Sequence, residues 1–177
     1  MKKQPDDRGD VISPSLTEDV FLTDAFLIKG RLVNKSKRLS SQLEDLNRSF
    51  LHIEDATMVS LRGSEVISTP TVMVNINEVI CAHELLDAAG DDGLRRLAGQ
   101  NKTSRIRAFF NGAVQFEVAG IVEPGAYEQH FSGRDFFIMQ HPVLRGIDID
   151  HPEMAFLRGL DYVIVRRDKM AYVYDFH

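Results

Sequence analysis

Residues 160–176, LDYVIVRRDKMAYVYDF, align without a gap on residues 69–85, TPTVMVNINEVICAHEL, at an offset of 91. Each segment is an apolar run, a short polar step and a second apolar run. Two further blocks extend the match. Residues 50–61 (FLHIEDATMVSL) answer residues 136–147 (FFIMQHPVLRGI) at an offset of 86, and residues 26–33 (FLIKGRLV) answer residues 116–122 (FEVAGIV), with Gly30 on Gly120. The blocks recur in one order, and length changes fall between them. Loops tolerate such changes and paired strands do not. The chain therefore reads as two divergent copies of one β unit.

The expected fold class is mainly β, with two tandem small barrels joined by a partly helical linker. Residues 1–18 read as a flexible N-terminal arm, 19–86 as the first barrel, 87–112 as the linker and 113–177 as the second barrel. A unit of roughly 65 residues buries only about 60% of its unfolded surface, so the copies are expected to pack on each other or on other subunits. No apolar run approaches the roughly 18–20 residues that span a bilayer, and MKKQPDDRGD lacks the apolar stretch of a secretory signal. A lone cysteine, Cys81, excludes an internal disulfide and points to the reducing cytoplasm. Net charge is -5, with ten acidic against six basic residues over 113–177. Affinity for nucleic acid rests on Lys and Arg neutralising phosphates, so this balance disfavours nonspecific RNA or DNA binding.

Within each copy the pattern is local and readable. From 21 to 33, Phe26, Ile28 and Leu32 alternate with Lys29 and Arg31, the period of a half-buried strand. Gly30 and Gly120 fall inside strands, where glycine permits a bulge or close backbone approach. Leu39, Leu43 and Leu46 at i, i+4 and i+7 predict a short helix over the barrel, while Tyr127 and Phe131 give a weaker match in the second copy. Each unit is expected to end in a hairpin-like pair: 72–76 with 79–83 about Asn77-Glu78, and 162–166 with 170–174 about Asp168-Lys169. Between the copies, short helical patches fall at 85–89 and 94–98.

Two resemblances attach to these residues. RLSSQLEDLNRSFLHIEDATM (38–58), preceded by GRL and followed by VMVNINEVI, resembles an uncharacterised bacterial domain family that carries no known activity. More broadly, TVMVNINEVICAH (71–83) and YVIVRRDKMAYVY (162–174) are similar to the last motif of Sm-like domains. That resemblance implies a strongly bent, SH3-like five-stranded barrel whose final strands pair edge to edge with neighbours in rings, often around RNA. The asparagine of the first Sm motif has no counterpart in FLHIEDATM or FFIMQHPVL. The glycine of the last motif is replaced by Ile76 or Asn77 in one copy and by Arg167 in the other.

Candidate chemistry is sparse. Asp148, Asp150, His151 and Glu153 offer oxygen and imidazole ligands to a divalent ion, although one loop would have to supply nearly the whole shell; the alternative is a solvated acidic loop closed by Pro152. Arg166, Arg167 and Lys169 lie at a strand end where an Sm-like ring lines its pore and could contact phosphate; alternatively they blunt an exposed edge. Arg95, Arg96, Lys102, Arg105 and Arg107 form a basic set suited to an acidic partner, in the first place the second copy itself. Cys81 and His83 alternate on one strand face with His52 possible nearby, but a cysteine among Val79, Ile80 and Ala82 reads as inert packing. Phe109, Phe110, Phe136, Phe137, Tyr172 and Tyr174 read as core or interface aromatics. No phosphate loop, dinucleotide fingerprint, nucleophile elbow or CxxC pair occurs, and no cofactor is expected. The expectation is a noncatalytic cytosolic protein that self-associates through edge strands. The alternatives are an Sm-like RNA binder and a metal-dependent enzyme using the 148–153 loop.

Overall fold

The computed structural model describes residues 18–45, 47–85, 97, 99, 102–128 and 134–176. Its elements, in chain order, are β1 (Asp19–Leu22), β2 (Phe26–Leu32), α1 (Leu39–Leu43), β3 (Phe50–Ser60), β4 (Val66–Asn75), β5 (Cys81–Glu84), β6 (Ser104–Asn111), β7 (Gln115–Val122), β8 (Phe136–Arg145), β9 (Tyr162–Arg166) and β10 (Tyr172–Phe176). Short 3-10 turns cover Ile76–Glu78 and Pro152–Gly159. The ten strands among the described residues belong to one antiparallel sheet in the order β10-β6-β7-β8-β9-β5-β1-β2-β3-β4.

The order contains the repeat. The first half runs β5-β1-β2-β3-β4 and the second runs β10-β6-β7-β8-β9, so each half places its fifth strand beside its first. Gly30 and Gly120 lie in the second strand of their halves, Phe50 and Phe136 open the third, and Val74 and Val165 lie in the fourth. The halves join where β9 pairs with β5, fourth strand of one half against fifth of the other.

Both glycines sit opposite the same irregularity. The β2–β3 register slips between Lys29 and Arg31, leaving Asp55 and Ala56 opposite Gly30, and the β7–β8 register slips between Ala119 and Ile121, leaving His141 and Pro142 opposite Gly120. Asp55 and His141 adopt left-handed φ of 51° and 48°. Such a bulge sharpens the local twist and bends the strand. A Cβ on Gly30 would stand 2.6 Å from Ile53 Cγ2 and 2.8 Å from the Glu54 carbonyl oxygen. One on Gly120 would stand 2.5 Å from Met139 Cγ and 2.6 Å from the Gln140 carbonyl oxygen. The bend thus demands glycine twice, for one reason.

The buried apolar residues gather into two cores, and each draws on both halves. One gathers Phe21, Ile28, Leu32, Leu51, Ile53 and Val74 of the first half with Phe136, Tyr162 and Ile164 of the second. The other gathers Ile106, Phe110, Val118, Met139 and Val163 of the second half with Val20, Leu22, Leu27, Ile80 and Cys81 of the first. Along β9, Tyr162 and Ile164 enter one core while Val163 and Val165 enter the other. Along β1, Phe21 faces one core while Val20 and Leu22 face the other. Side chains alternate across a strand, so strands at the junction carry apolar residues on both faces and are buried throughout. The short helix expected near 39–46 is α1, which buries Leu39 and Leu43; Leu46 lies outside the described residues.

Three expectations are corrected. The stretch 21–33 is a hairpin rather than one strand: Thr23 turns the chain, its Oγ1 accepting from the Phe26 amide at 3.0 Å and the Ala25 amide at 3.3 Å. Residues 104–111 of the expected linker form β6, the first strand of the second half. Ile106, Ala108 and Phe110 point inward from it, between the outward Arg105, Arg107 and Phe109. The strands flanking Asn77-Glu78 and Asp168-Lys169 do not pair with each other. The tight turn sends β4 to the sheet's outer edge and β5 to β1, and likewise β9 to β8 and β5 and β10 to β6. Residues 1–17 of the expected arm, all but Leu85 and Leu97 of the helical patches expected at 85–89 and 94–98, and Arg95, Arg96 and Phe131 lie outside the described residues.

Candidate association surfaces

The seam between β9 and β5 joins the two halves of the sheet. Cys81 lies opposite Val165 and Ala82 opposite Ile164, and the Arg166 amide donates to the Ile80 carbonyl at 2.9 Å. Side chains extend the junction. Arg166 is buried and sends its guanidinium into the first half, Nη1 donating to the Ile76 carbonyl at 2.9 Å and Nη2 to Asn77 Oδ1 at 3.2 Å. Its Nε is held by Asp168 Oδ1 at 2.6 Å, and the group stands 5.2 Å from the centre of the Phe136 ring. In the opposite direction, the carboxylate of Glu44, just beyond α1, accepts from the backbone amides of Asp135 and Phe136 at 3.1 and 2.9 Å. The His83 and Tyr162 rings meet across the seam with centres 4.6 Å apart.

Arg167 is also buried: Nε donates to the Ala126 carbonyl at 2.6 Å, Nη1 donates to the Arg134 carbonyl, and the guanidinium lies over Phe137. Desolvation lowers the Arg167 pKa from its usual value. Lys169 is half-buried, 3.8 Å from Glu78 across the seam. The two arginines thus direct donors to the chain's own carbonyls, and Lys169 faces a carboxylate.

Asp148, Asp150, His151 and Glu153 do not form one coordination shell. Asp148 Oδ1 accepts from the Asp150 amide at 3.2 Å, His151 Nδ1 accepts from the Glu153 amide at 3.2 Å, and Asp150 pairs with Arg158. These are turn-forming and helix-capping bonds, and no group of three or more His, Cys, Asp or Glu among the described residues is arranged to hold a metal. Cys81 is buried, and desolvation pushes its thiol pKa up, away from the nucleophilic thiolate. His52 stands on the exposed side of β3 against Thr71. Of the basic set, Arg107 meets the second half's Glu117 at 2.6 Å, while Lys102 and Arg105 are exposed.

Two further features have no single-residue signature. Asp19 and Glu84 are buried side by side on β1 and β5 and share Lys35, whose Nζ lies 2.6 Å from each; Arg38 and the Leu39 amide also bind Glu84. Desolvation, only partly offset by Lys35, raises the Asp19 pKa from 3.8 to about 6. A shallow depression of about 420 Å³, lined by Lys35, Ser36, Lys37, Arg38 and Glu84, overlies this cluster. The second feature is a pair of edges, β4 at one end of the sheet and β10 at the other, beside which no further strand lies among the described residues. Val66, Ile67 and Met73 of β4 and Tyr172, Tyr174 and Phe176 of β10 are exposed. The repeat alignment held the signal for these edges, since it pairs β4 with β9 and β10 with β5. No helix among the described residues is long and apolar enough to cross a membrane. Comparison of the chain with protein-family models, curated proteins and solved structures finds no match.

Proposed function

We propose that this chain is a noncatalytic association protein made of two small Sm-like barrels, which assembles through its open strand edges. The observation that carries the reading is the seam, where a fourth and a fifth strand from like-ordered halves pair and lend side chains to each other's cores. Two undersized units are stabilised there by surface that neither has alone. The same kinds of strand, fourth and fifth, form the sheet's two ends and are unpaired on their outer sides among the described residues. Long apolar edges are templates for further pairing, so the chain has the means to extend the contact it already makes once.

Light scattering coupled to gel filtration at micromolar concentration tests this. A mass of two or more chains is expected, and a single-chain mass across the concentration range would overturn the reading. RNA binding has less support, because Arg166 and Arg167 direct their guanidinium groups into the seam and the loop carbonyls. Stable retention of RNA at low salt, lost steeply as salt rises, would reverse that ranking.

A further inference from the structure

The offset of 91 that superposes the fourth and fifth strands also transposes the seam. Its pairs Cys81–Val165 and Ala82–Ile164 become Tyr172–Val74 and Val173–Met73. At the seam Cys81 is 2% exposed and Ile164 1%, while at the open edges their counterparts Tyr172 and Met73 are 66% and 56% exposed. Positions that become buried wherever a fourth strand meets a fifth are therefore apolar where the two do not meet within one chain. Strand β4, VISTPTVMVN, has no charged residue in its length. Natural edge strands are usually blunted by charge or covered, and here only Pro70 interrupts the row.

We propose that β10 of one copy pairs antiparallel with β4 of a second copy, with Tyr172 opposite Val74 and Val173 opposite Met73, repeating the seam between chains. The proposal rests on the association reading above and names its partner and register. By the seam's logic, Tyr172 enters the neighbour's first-half core beside Val74, as Cys81 enters the second-half core beside Val165. Met73 enters the other chain's second-half core, as Ile164 enters that of the first half. Each copy offers one edge of each kind, so the contact is head to tail. Repetition closes a ring if the rotation between copies permits.

The bond from the Arg166 amide to the Ile80 carbonyl marks the neighbouring 80–166 pair as hydrogen-bonded, which makes 81–165, and hence 172–74, a non-hydrogen-bonded pair. Such pairs bring Cα atoms to about 4.5 Å, within the span of a disulfide. Chains with Tyr172→Cys and chains with Val74→Cys, both retaining buried Cys81, are co-expressed and mildly oxidised. The expected product is a disulfide-linked band containing one chain of each kind, absent when either variant is expressed alone. Because Val74→Cys disturbs a buried position, Met73→Arg is measured as well. Met73 is exposed in the single chain, so the variant should keep its circular dichroism and lose the multimeric mass. A multimer that yields no mixed cross-link, or that cross-links equally from one variant alone, or that survives Met73→Arg, overturns this register and leaves association through another surface. A single-chain mass in the unmodified protein overturns both.

Discussion

Arg166 ends β9 in the second half, yet its Nη1 donates to the carbonyl of Ile76 in the first half at 2.9 Å, across the strand pair that joins them. A planar fork is needed, since the same guanidinium also meets Asn77 Oδ1 and Asp168. Arg166→Met is expected to destabilise the protein by about 2 kcal/mol, because it leaves a buried carbonyl unpaired. Arg166→Lys should recover little of that loss, a point charge being unable to replace the fork. Urea denaturation of the three proteins measures both effects.

Glu44 holds the seam from the other side through two backbone amides of the second half. Hydrogen bonds to an ionised acceptor are the stronger kind, so Glu44→Ala should cost about 2 kcal/mol. Glu44→Gln, which retains one acceptor oxygen, should fall between that variant and the unmodified protein. Amide hydrogen exchange offers a local readout: protection at Asp135 and Phe136 should fall in Glu44→Ala, and unchanged protection there would contradict the assignment.

At Gly30 and Gly120 an added methyl meets a backbone carbonyl oxygen at 2.8 and 2.6 Å, and a carbonyl in a paired strand cannot swing aside. Gly30→Ala and Gly120→Ala are each expected to destabilise by about 2 kcal/mol, the usual scale of overpacking. Near-equal losses at two sites 90 residues apart would reflect their shared bulge. A neutral outcome at either, by thermal or chemical denaturation, would mean that the bend does not require glycine.

Asp19 supplies a pH dependence whose sign is opposite to that of a typical carboxylate. Burial raises its folded pKa from 3.8 to about 6, so between those values the folded chain binds more proton than the unfolded one. Stability from this group is therefore greatest below pH 4 and declines as pH rises through 6. The shift corresponds to about 3 kcal/mol. Measured against Asp19→Asn, which cannot titrate, the unmodified protein should lose roughly that much stability from pH 4 to pH 7. A difference that stays constant over this range would show that Asp19 is ionised throughout.

Much of this architecture can be read from strand periodicity and the repeat, because both depend on local alternation. Gly30, Gly120 and the 69–85 and 160–176 segments mark equivalent strands in the sequence itself. Partner choice is another matter. The runs about Asn77-Glu78 look like hairpins, since two apolar stretches flank a short polar step, but pairing is decided by where β1 and β9 lie, a nonlocal property. The segment 104–111 reads as a basic linker when Arg105 and Arg107 are counted as charge, and as a strand when Ile106, Ala108 and Phe110 are counted as its inner face. Arg166 and Arg167 look like phosphate ligands in sequence because they fall at a strand end where an Sm-like ring would line its pore, and because arginine is usually exposed. Only the fold brings the carbonyls of Ile76, Ala126 and Arg134 within their reach.

Since β9 lends Tyr162 and Ile164 to one core and Val163 and Val165 to the other, neither half encloses a complete interior by itself. Severing the chain between residues 85 and 104 would yield two pieces, each with part of its hydrophobic filling carried off by the other. They should behave as a split-protein pair, poorly structured when separate and regaining order on mixing, and the intact chain should melt as one cooperative block.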